Sequence, residues 1–323
     1  MIANSGEYRK KNGQRGCVMM NNFIFENKTK VYFGKGGVKE CLGGLLANFG
    51  ETVMLAYGGG SIKCNGVYDE IMGILNAQGK CVVEFSGIMS NPTYAKVQDG
   101  AKLARGNHVD LILAVGGGSV SDCCKVISGA FDTLSHAMET YFGKPDENNL
   151  SDDINEAVMR SVIRNIRVLL TDPENDDARS ELAWASAMAE NGVLKIGKVT
   201  DFQAHQIEHQ LGAYTNCNHG AGLAVIHPVL YRHIYKSGTA RFTRWAQNVW
   251  GIAPKGSDEE TAAAGIDALA AFIKEIGLLT TFTELGIPAD TDFRAIADST
   301  NVTAGCCKKL TRDEICEILQ ECL

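Results

Sequence analysis

The sequence contains no Cys-x-x-Cys pair, although 11 of its 323 residues are cysteine. The number is odd and the thiols are scattered, which argues against a disulfide framework and favours a reduced, cytoplasmic protein. No apolar run is long enough to cross a bilayer. Residues 1–19 are polar and basic without an apolar stretch, so they do not form a secretory signal, and we predict a disordered extension there.

The chain also lacks an excess of basic residues, since its formal net charge is −7. Without a positive field to attract phosphate groups, nucleic acid is not an expected partner. The length and the hydrophobic content of 45% indicate one large or two ordinary globular domains with a real core.

Short apolar segments alternate with helical patterns in the first part of the chain. The candidate strands are Lys30–Phe33, Val53–Tyr57, Cys81–Phe85 and Leu111–Val115. Helical patterns, such as Asn65–Gln78 and Asn91–Arg105, lie between them. Strands that alternate with helices predict a parallel, doubly wound sheet, in which ligands gather at the carboxyl ends of the strands.

From about Gly129 onward the strand signal stops and helix-start signals recur. These signals are Ser151 ahead of Asp152–Leu170, Ser257 with Glu260, and Thr311 with Glu314. Gly277 is placed to end the helix that Ser257 begins. The sequence therefore predicts an α/β dinucleotide-binding domain over residues 20–128, with a parallel sheet, and an all-α domain over residues 129–323.

Two glycine clusters directly follow predicted strands. The first comprises Gly58, Gly59, Gly60 and Ser61, and the second comprises Gly116, Gly117, Gly118 and Ser119, with Asp122 after it. Neither cluster is GxGxxG, and a tight strand–helix turn also uses glycine. Two clusters at the same topological position nevertheless favour phosphate binding by a nicotinamide dinucleotide. Because the Val53 strand ends in glycine and not in an acid, we favour NADP(H) over NAD(H).

Five residues have side chains that commonly bind metals, and four of them form two pairs at helical spacing. Asp132 and His136 are four residues apart, as are His205 and His209, and His219 follows shortly after. Side chains at i and i+4 share one face of a helix. A cluster of histidine and aspartate suits a divalent metal such as Zn²⁺ or Fe²⁺, although a single histidine is more often a hydrogen-bonded core residue.

The segment His205–His209 also fits the H-x-x-E-H pattern of inverted zincin proteases, with Glu208 as the base. A protease would not need the glycine clusters, nor Asp132 and His136. A metalloprotease is therefore a remote alternative.

Taken together, these motifs resemble the iron-containing (group III) alcohol dehydrogenases, in the branch of the butanol dehydrogenases. The residues that carry the resemblance are Val31–Gly36, Tyr57–Ser61, Asn91-Pro92, Gly116–Asp122, Phe131–His136, Asp201–His209 and Asn218–Gly220. The similarity extends from about Phe23 to the C-terminus.

The resemblance implies a metal held by Asp132, His136, His205 and His219, with His209 as a proton relay and not a ligand. It also implies that the glycine clusters and Asp122 hold the cofactor, with Asn91 near its adenosine end. The expected activity is hydride transfer between NAD(P)(H) and a small primary alcohol or aldehyde. The resemblance further implies a homodimer.

The resemblance breaks after Ser128, which is followed directly by Gly129 and the Asp132 helix. Members of the family have several dozen more residues here, which supply further strands and a segment that clasps the pyrophosphate and nicotinamide. We therefore predict an incomplete cofactor domain beside a complete metal quartet. The alternatives are a non-catalytic metal-binding remnant and a faulty gene model.

Overall fold

The computed structural model describes residues 30, 32, 34–88, 94–116, 123–144, 148–200, 202–302 and 307–323. Three parallel strands form one sheet in the order β2-β1-β3: β1 (Thr52–Tyr57), β2 (Cys81–Phe85) and β3 (Leu111–Val115). Four helices accompany them: α1 (Gly37–Leu46), α2 (Ser61–Cys64), α3 (Val67–Ala77) and α4 (Tyr94–Gly106). The α/β prediction for this part of the chain is confirmed.

In the part of the chain that the structure describes, nine further helices follow the sheet: α5 (Cys123–Tyr141), α6 (Leu150–Thr171), α7 (Asp176–Glu190), α8 (Gln203–Thr215), α9 (His219–Ile234), α10 (Thr239–Asn248), α11 (Asp258–Glu275), α12 (Phe293–Ser299) and α13 (Arg312–Glu321). Two short 3₁₀ helices cover Val193–Lys195 and Tyr235–Gly238. In the described residues beyond β3, strand pairing is limited to one bridge between Lys144 and Val199. The predicted change to an all-α region is therefore confirmed.

The sheet region has a small core on one face of β1. Val53, Leu55 and Tyr57 are buried there against Ile71 and Leu75 of α3. Consecutive residues of β1 from Val53 to Tyr57 are buried on both faces, as expected for the central strand of a parallel sheet. The strand's apolar run thus accounts for its place in the middle.

The helical region has a larger, separate core that is rich in aromatic side chains. Phe142 lies at its centre, stacked on Phe242 at a centroid distance of 4.1 Å and in edge contact with Tyr231 and Trp245. Among the described residues, no helix combines the length and apolar character needed to span a membrane.

One predicted helix start is wrong. Ser151 does not cap its helix, because Asn149 accepts a hydrogen bond from the Asp152 amide at 3.1 Å and α6 begins at Leu150. The Ser151 hydroxyl instead donates to the carbonyl of Ile196 at 3.0 Å. Of the predicted strand Lys30–Phe33, the structure describes only Lys30 and Tyr32, which belong to none of the described strands; the other two residues lie outside the described ranges.

The other helix signals agree with the structure. Thr311 and Glu314 form the reciprocal capping box, and the Ser257 hydroxyl accepts from the Glu260 amide at 3.2 Å. Gly277 follows α11 with a left-handed φ of 76°, which favours glycine. The domain boundary predicted after Ser128 falls within α5, so that helix joins the two regions.

Candidate metal centre and cofactor edge

Helix α5 brings Asp132 and His136 to one face, as their spacing predicts. The His136 Nε2 atom lies 3.7 Å from Asp132 Oδ1. Their side chains retain 30% and 17% exposure, so both are accessible from one side of the helix.

Helices α8 and α9 supply the other two predicted ligands. His205 lies in the first turn of α8, and His219 is the first residue of α9. Between them Asn216 adopts a left-handed φ of 55°, which turns the chain back. Asn218 then caps α9 by accepting from the Ala221 amide at 3.0 Å. This turn places His219 beside His205, with ring centroids 5.3 Å apart.

Three imidazole nitrogens converge on one carboxylate oxygen. Asp132 Oδ1 lies 3.4 Å from His205 Nε2 and 3.5 Å from His219 Nε2. Four ligand atoms held about 2.1 Å from one tetrahedral ion are separated by about 3.4 Å. The spacing around Asp132 therefore fits a single divalent ion, with His136 Nε2 slightly more distant.

The two most central ligand atoms form no well-aligned hydrogen bond within the described residues. Within the described part of the chain, Asp132 Oδ1 and His205 Nε2 are buried without a hydrogen bond. Leaving such groups unsatisfied costs about 1–3 kcal/mol each, more for a charged group. A cation between them would satisfy both atoms, so the residues fit the metal that the resemblance implies.

Three glutamates contact the outer nitrogens of the predicted histidine ligands. Glu139 of α5 accepts from His205 Nδ1, and Glu208 of α8 accepts from His219 Nδ1. Glu190 Oε1 lies 2.9 Å from His136 Nδ1 without the alignment of a hydrogen bond. Sequence reasoning did not assign Glu139 or Glu190, although Glu139 follows His136 at i+3, on the same helix face.

The charges of the site lower the pKa of Asp132 and raise the pKa of His205. Burial would raise the pKa of Asp132, but the neighbouring imidazoles outweigh it and lower that pKa. Burial would lower the pKa of His205, but the contacts with Asp132 and Glu139 raise it to about 9. Without metal, His205 is therefore protonated at neutral pH, and a bound ion would have to displace that proton.

His209 lies at the edge of the site and is exposed. Its ring stacks on that of His219 with centroids 5.3 Å apart. Partial burial, together with the charges of His219 and His205, lowers the pKa of His209. Glu208, His209 and His219 also place one ligand atom each within 4.8 Å of one another. This group shares His219 with the Asp132 site, so one ion cannot use both arrangements fully.

The first residues of the two glycine clusters, Gly58 and Gly116, lie at one edge of the sheet. Tyr57 at the end of β1 pairs with Val115 at the end of β3, so Gly58 and Gly116 are adjacent. Among the described residues, no atom lies within 4 Å of a Cβ added at Gly59, Gly60 or Gly116. Asn91, Gly117, Gly118, Ser119 and Asp122 lie outside the described residues.

An acid does stand near this edge, on the neighbouring strand. Glu84 of β2 accepts from the hydroxyl of Tyr57 at 2.5 Å and from that of Tyr68 at 2.6 Å. Lys63 Nζ lies 3.6 Å from the same carboxylate. These hydrogen bonds lower the pKa of Glu84. The glutamate in Cys81–Phe85 was the sequence signal for this group, but its two tyrosine partners depend on the tertiary fold.

Two family models match this chain. Residues 126–323 match the C-terminal part of the Fe-containing alcohol dehydrogenase family, and residues 28–157 match iron-containing alcohol dehydrogenase. A solved NADH-dependent butanol dehydrogenase A from Thermotoga maritima superposes with a TM-score of 0.86 at 25% identity. That similarity covers 94% of this chain and 99% of the other.

Two curated relatives are similar in sequence. A probable NADH-dependent butanol dehydrogenase 2 from Bacillus subtilis is 29% identical, with 94% of this chain and all of the relative covered. The NADPH-dependent aldehyde reductase YqhD from Escherichia coli is 26% identical, with 83% and 90% covered.

The alignment with the Bacillus protein is longer than this chain. It extends over 392 positions, whereas 94% of 323 residues is about 304, so about 88 positions contain no residue of this chain.

Proposed function

Because the chain belongs to the iron-containing alcohol dehydrogenase family, we propose that it transfers hydride between NAD(P)(H) and a small primary alcohol or aldehyde. The proposed centre holds one divalent metal, Fe²⁺ or Zn²⁺, through Asp132, His136, His205 and His219. The observation that carries this proposal is the convergence of three Nε2 atoms on Asp132 Oδ1 at 3.4–3.7 Å. A cytoplasmic location and a homodimer remain predictions.

In this proposal the protein residues position the reactants and transfer one proton. A bound metal would supply Lewis-acid polarisation of the substrate oxygen. His209 is exposed beside His219, so its imidazole can carry a proton between the site and solvent. The glycine edge formed by Gly59, Gly60 and Gly116 would receive the cofactor phosphates, because no described atom lies close to its backbone.

We favour NADP(H) over NAD(H) as the cofactor. An acid at the edge of β1 would select the ribose hydroxyls of NAD(H), and none follows Tyr57 directly. Glu84, the nearby acid of β2, already accepts from two tyrosine hydroxyls and lies near Lys63. It is therefore poorly placed to repel a 2′-phosphate. Relatives named for NADH and for NADPH both occur among the similar proteins.

Metal content and turnover measured together test the proposal. The protein loaded with Fe²⁺ or Zn²⁺ should oxidise NADPH in the presence of butanal, followed by absorbance at 340 nm. His205→Ala and His219→Ala should each remove both bound metal and turnover, whereas His108→Ala, at an exposed position of the sheet region, should retain both. Metal retained by both ligand variants would contradict the ligand assignment.

A second candidate is a metal-binding remnant without catalysis. It is favoured by the roughly 88 aligned positions that this chain lacks relative to the Bacillus relative. We infer that these positions belong to the block expected after Ser128, which would contain the nicotinamide clasp. The remnant should bind metal and fail to bind NADPH.

Intact mass and NADPH titration separate these candidates. A native protein heavier than 34.8 kDa, with extra peptides between Ser128 and Gly129, would show that the block exists and favour the dehydrogenase. A matching mass without NADPH binding would favour the remnant. The metalloprotease alternative has little support, because Glu208 is 2% exposed and accepts from His219, whereas a protease base must reach water.

A further inference from the structure

We propose that Glu139 and Glu208 are positioning residues that hold the imidazoles of His205 and His219 with Nε2 directed at the metal site. This inference rests on the metal centre of the proposed function. It adds two residues outside the ligand quartet, each on a different helix. Their roles follow from the hydrogen bonds at the outer edges of the two rings.

Glu139 is held by three donors from the start of α8. Its Oε1 accepts from the Ala204 amide at 2.6 Å, and its Oε2 accepts from the His205 amide at 3.1 Å and from His205 Nδ1. Phe202, at the N-cap position of α8, makes no side-chain capping bond, so the carboxylate of α5 takes that role. One side chain thus joins the two helices that carry Asp132 and His205.

Glu208 holds His219 in a similar way, from within the helical core. Its carboxylate accepts from His219 Nδ1, and the residue is 2% exposed. Space for it depends on Gly222 of α9, where an added Cβ would lie 3.0 Å from Glu208 Cγ. The glycine lets the α8 side chain approach the first turn of α9, where His219 lies.

Both contacts determine which nitrogen faces the metal. An ionised carboxylate only accepts hydrogen bonds, so the ring nitrogen beside it must carry a proton. With the proton on Nδ1, the Nε2 lone pair is available, and Nε2 is the atom that faces Asp132 in both residues. Loss of such a carboxylate typically weakens metal binding about 10–100-fold.

Glu190 does not belong to this pair. It approaches His136 Nδ1 at 2.9 Å, but its side chain is 52% exposed and the contact lacks hydrogen-bond alignment. An exposed and misaligned carboxylate orients a ring weakly, because water competes for it.

The decisive experiment compares Glu139→Gln and Glu208→Gln with Glu156→Gln as a matched control. Glu156 is also a buried, hydrogen-bonded glutamate of the helical region, but it accepts from Tyr141 and Arg244 and touches none of the predicted ligands. The full-length wild type and the three full-length variants would be loaded with Co²⁺. The Kd for Co²⁺ would be measured by chelator competition, and the ligand field by visible absorption.

We expect the Kd to rise about 10–100-fold in Glu139→Gln and Glu208→Gln, with an altered visible spectrum in each. The effect should be larger in Glu139→Gln. The Glu139 carboxylate accepts from three N–H groups, so the NH₂ group of the glutamine would face at least one of them, donor against donor. Glu156→Gln should lower the melting temperature and leave the Kd and the spectrum unchanged. A purely structural role would move the melting temperature alone.

A Kd within twofold of the wild type and an unchanged spectrum in both variants would overturn the inference. If Glu139→Gln fails to fold, Glu208→Gln decides the question. Wild-type protein that binds Co²⁺ but oxidises no NADPH would contradict the proposed activity. The comparison of Co²⁺ binding among the variants would remain valid. Wild-type protein that binds no Co²⁺ would overturn both.

Discussion

The helical region and the sheet region differ in how completely they cover their apolar side chains. Phe131 and Leu134 of α5 are fully buried. In the later helices, Ile318 is also fully buried and Phe272 is only 1% exposed. On β3, by contrast, Ile112 is 59% exposed, although all five residues of that strand are apolar. A strand of a parallel sheet normally needs cover on both faces. The predicted metal site therefore lies in the region with the larger buried core, and the predicted cofactor edge lies in the other.

The largest effect is expected where charge is buried in the helical region. Asp152 is fully buried, bonds to Lys198, and lies 3.1 Å from Arg241. Asp152→Ala would leave two buried cations without their carboxylate, which costs about 3–5 kcal/mol of unfolding free energy. Urea denaturation would measure this loss. Asp176→Ala, which removes the exposed partner of Lys35, is the control and should change the midpoint little. Equal losses would contradict the larger cost expected for removing the buried carboxylate.

The second effect concerns acid stability and His227. Burial lowers the pKa of His227 to about 4, below its ordinary value of 6.5. The unfolded chain therefore takes up a proton first as the pH falls, so stability is present above pH 6.5 and is lost towards pH 4. The difference of about 2.5 between the pKa values of the unfolded and folded states corresponds to about 3 kcal/mol of unfolding free energy.

Unfolding free energies of metal-free protein between pH 7.5 and 4 would test this. Over that pH range, the unfolding free energy of His227→Gln should fall by about 3 kcal/mol less than that of the wild type. His108→Gln, at an exposed position of the sheet region, should follow the wild-type curve. Parallel curves for wild type and His227→Gln would contradict the prediction.

The third effect compares two glycines. At Gly222 an added Cβ would lie 3.0 Å from Glu208 Cγ and 3.3 Å from Cys217 Sγ, so Gly222→Ala should cost about 1–3 kcal/mol and weaken metal binding. At Gly59 an added Cβ meets open space, so Gly59→Ala should leave stability within about 0.5 kcal/mol and weaken NADPH binding instead. Thermal unfolding and ligand titration of both variants would reveal the difference. Identical behaviour of the two would contradict it.

The last comparison concerns the open face of β3. Ile112 pairs in register with Met54 of β1, which is 2% exposed. Ile112→Ala should change the unfolding free energy by about 1 kcal/mol or less, whereas Met54→Ala should cost about 2–5 kcal/mol. Guanidinium denaturation of the two variants would measure both. A loss at Ile112 as large as that at Met54 would mean that this face is covered in solution.

Much of the architecture was predictable because it depends on local patterns. The apolar runs of β1, β2 and β3 match the predicted strands closely, and the i,i+4 spacing placed Asp132 and His136 on one helix face. The helix start at residue 150 was missed because two nearby side chains, Asn149 and Ser151, can both cap. Their competition was settled by Ile196, which accepts the Ser151 hydroxyl from 45 residues away.

The sequence by itself determined the kind of chemistry: histidine and aspartate at helical spacing for a metal, and glycine after parallel strands for phosphate. Only the tertiary structure decided which nitrogen of each ring faces inward. That choice depends on Glu139 and Glu208, whose contacts join α5 to α8 and α8 to α9. The tertiary structure likewise tied Glu84 to Tyr57 and Tyr68. Residue types and local spacing fix what a side chain can bind, whereas hydrogen bonds between separate elements fix where it points.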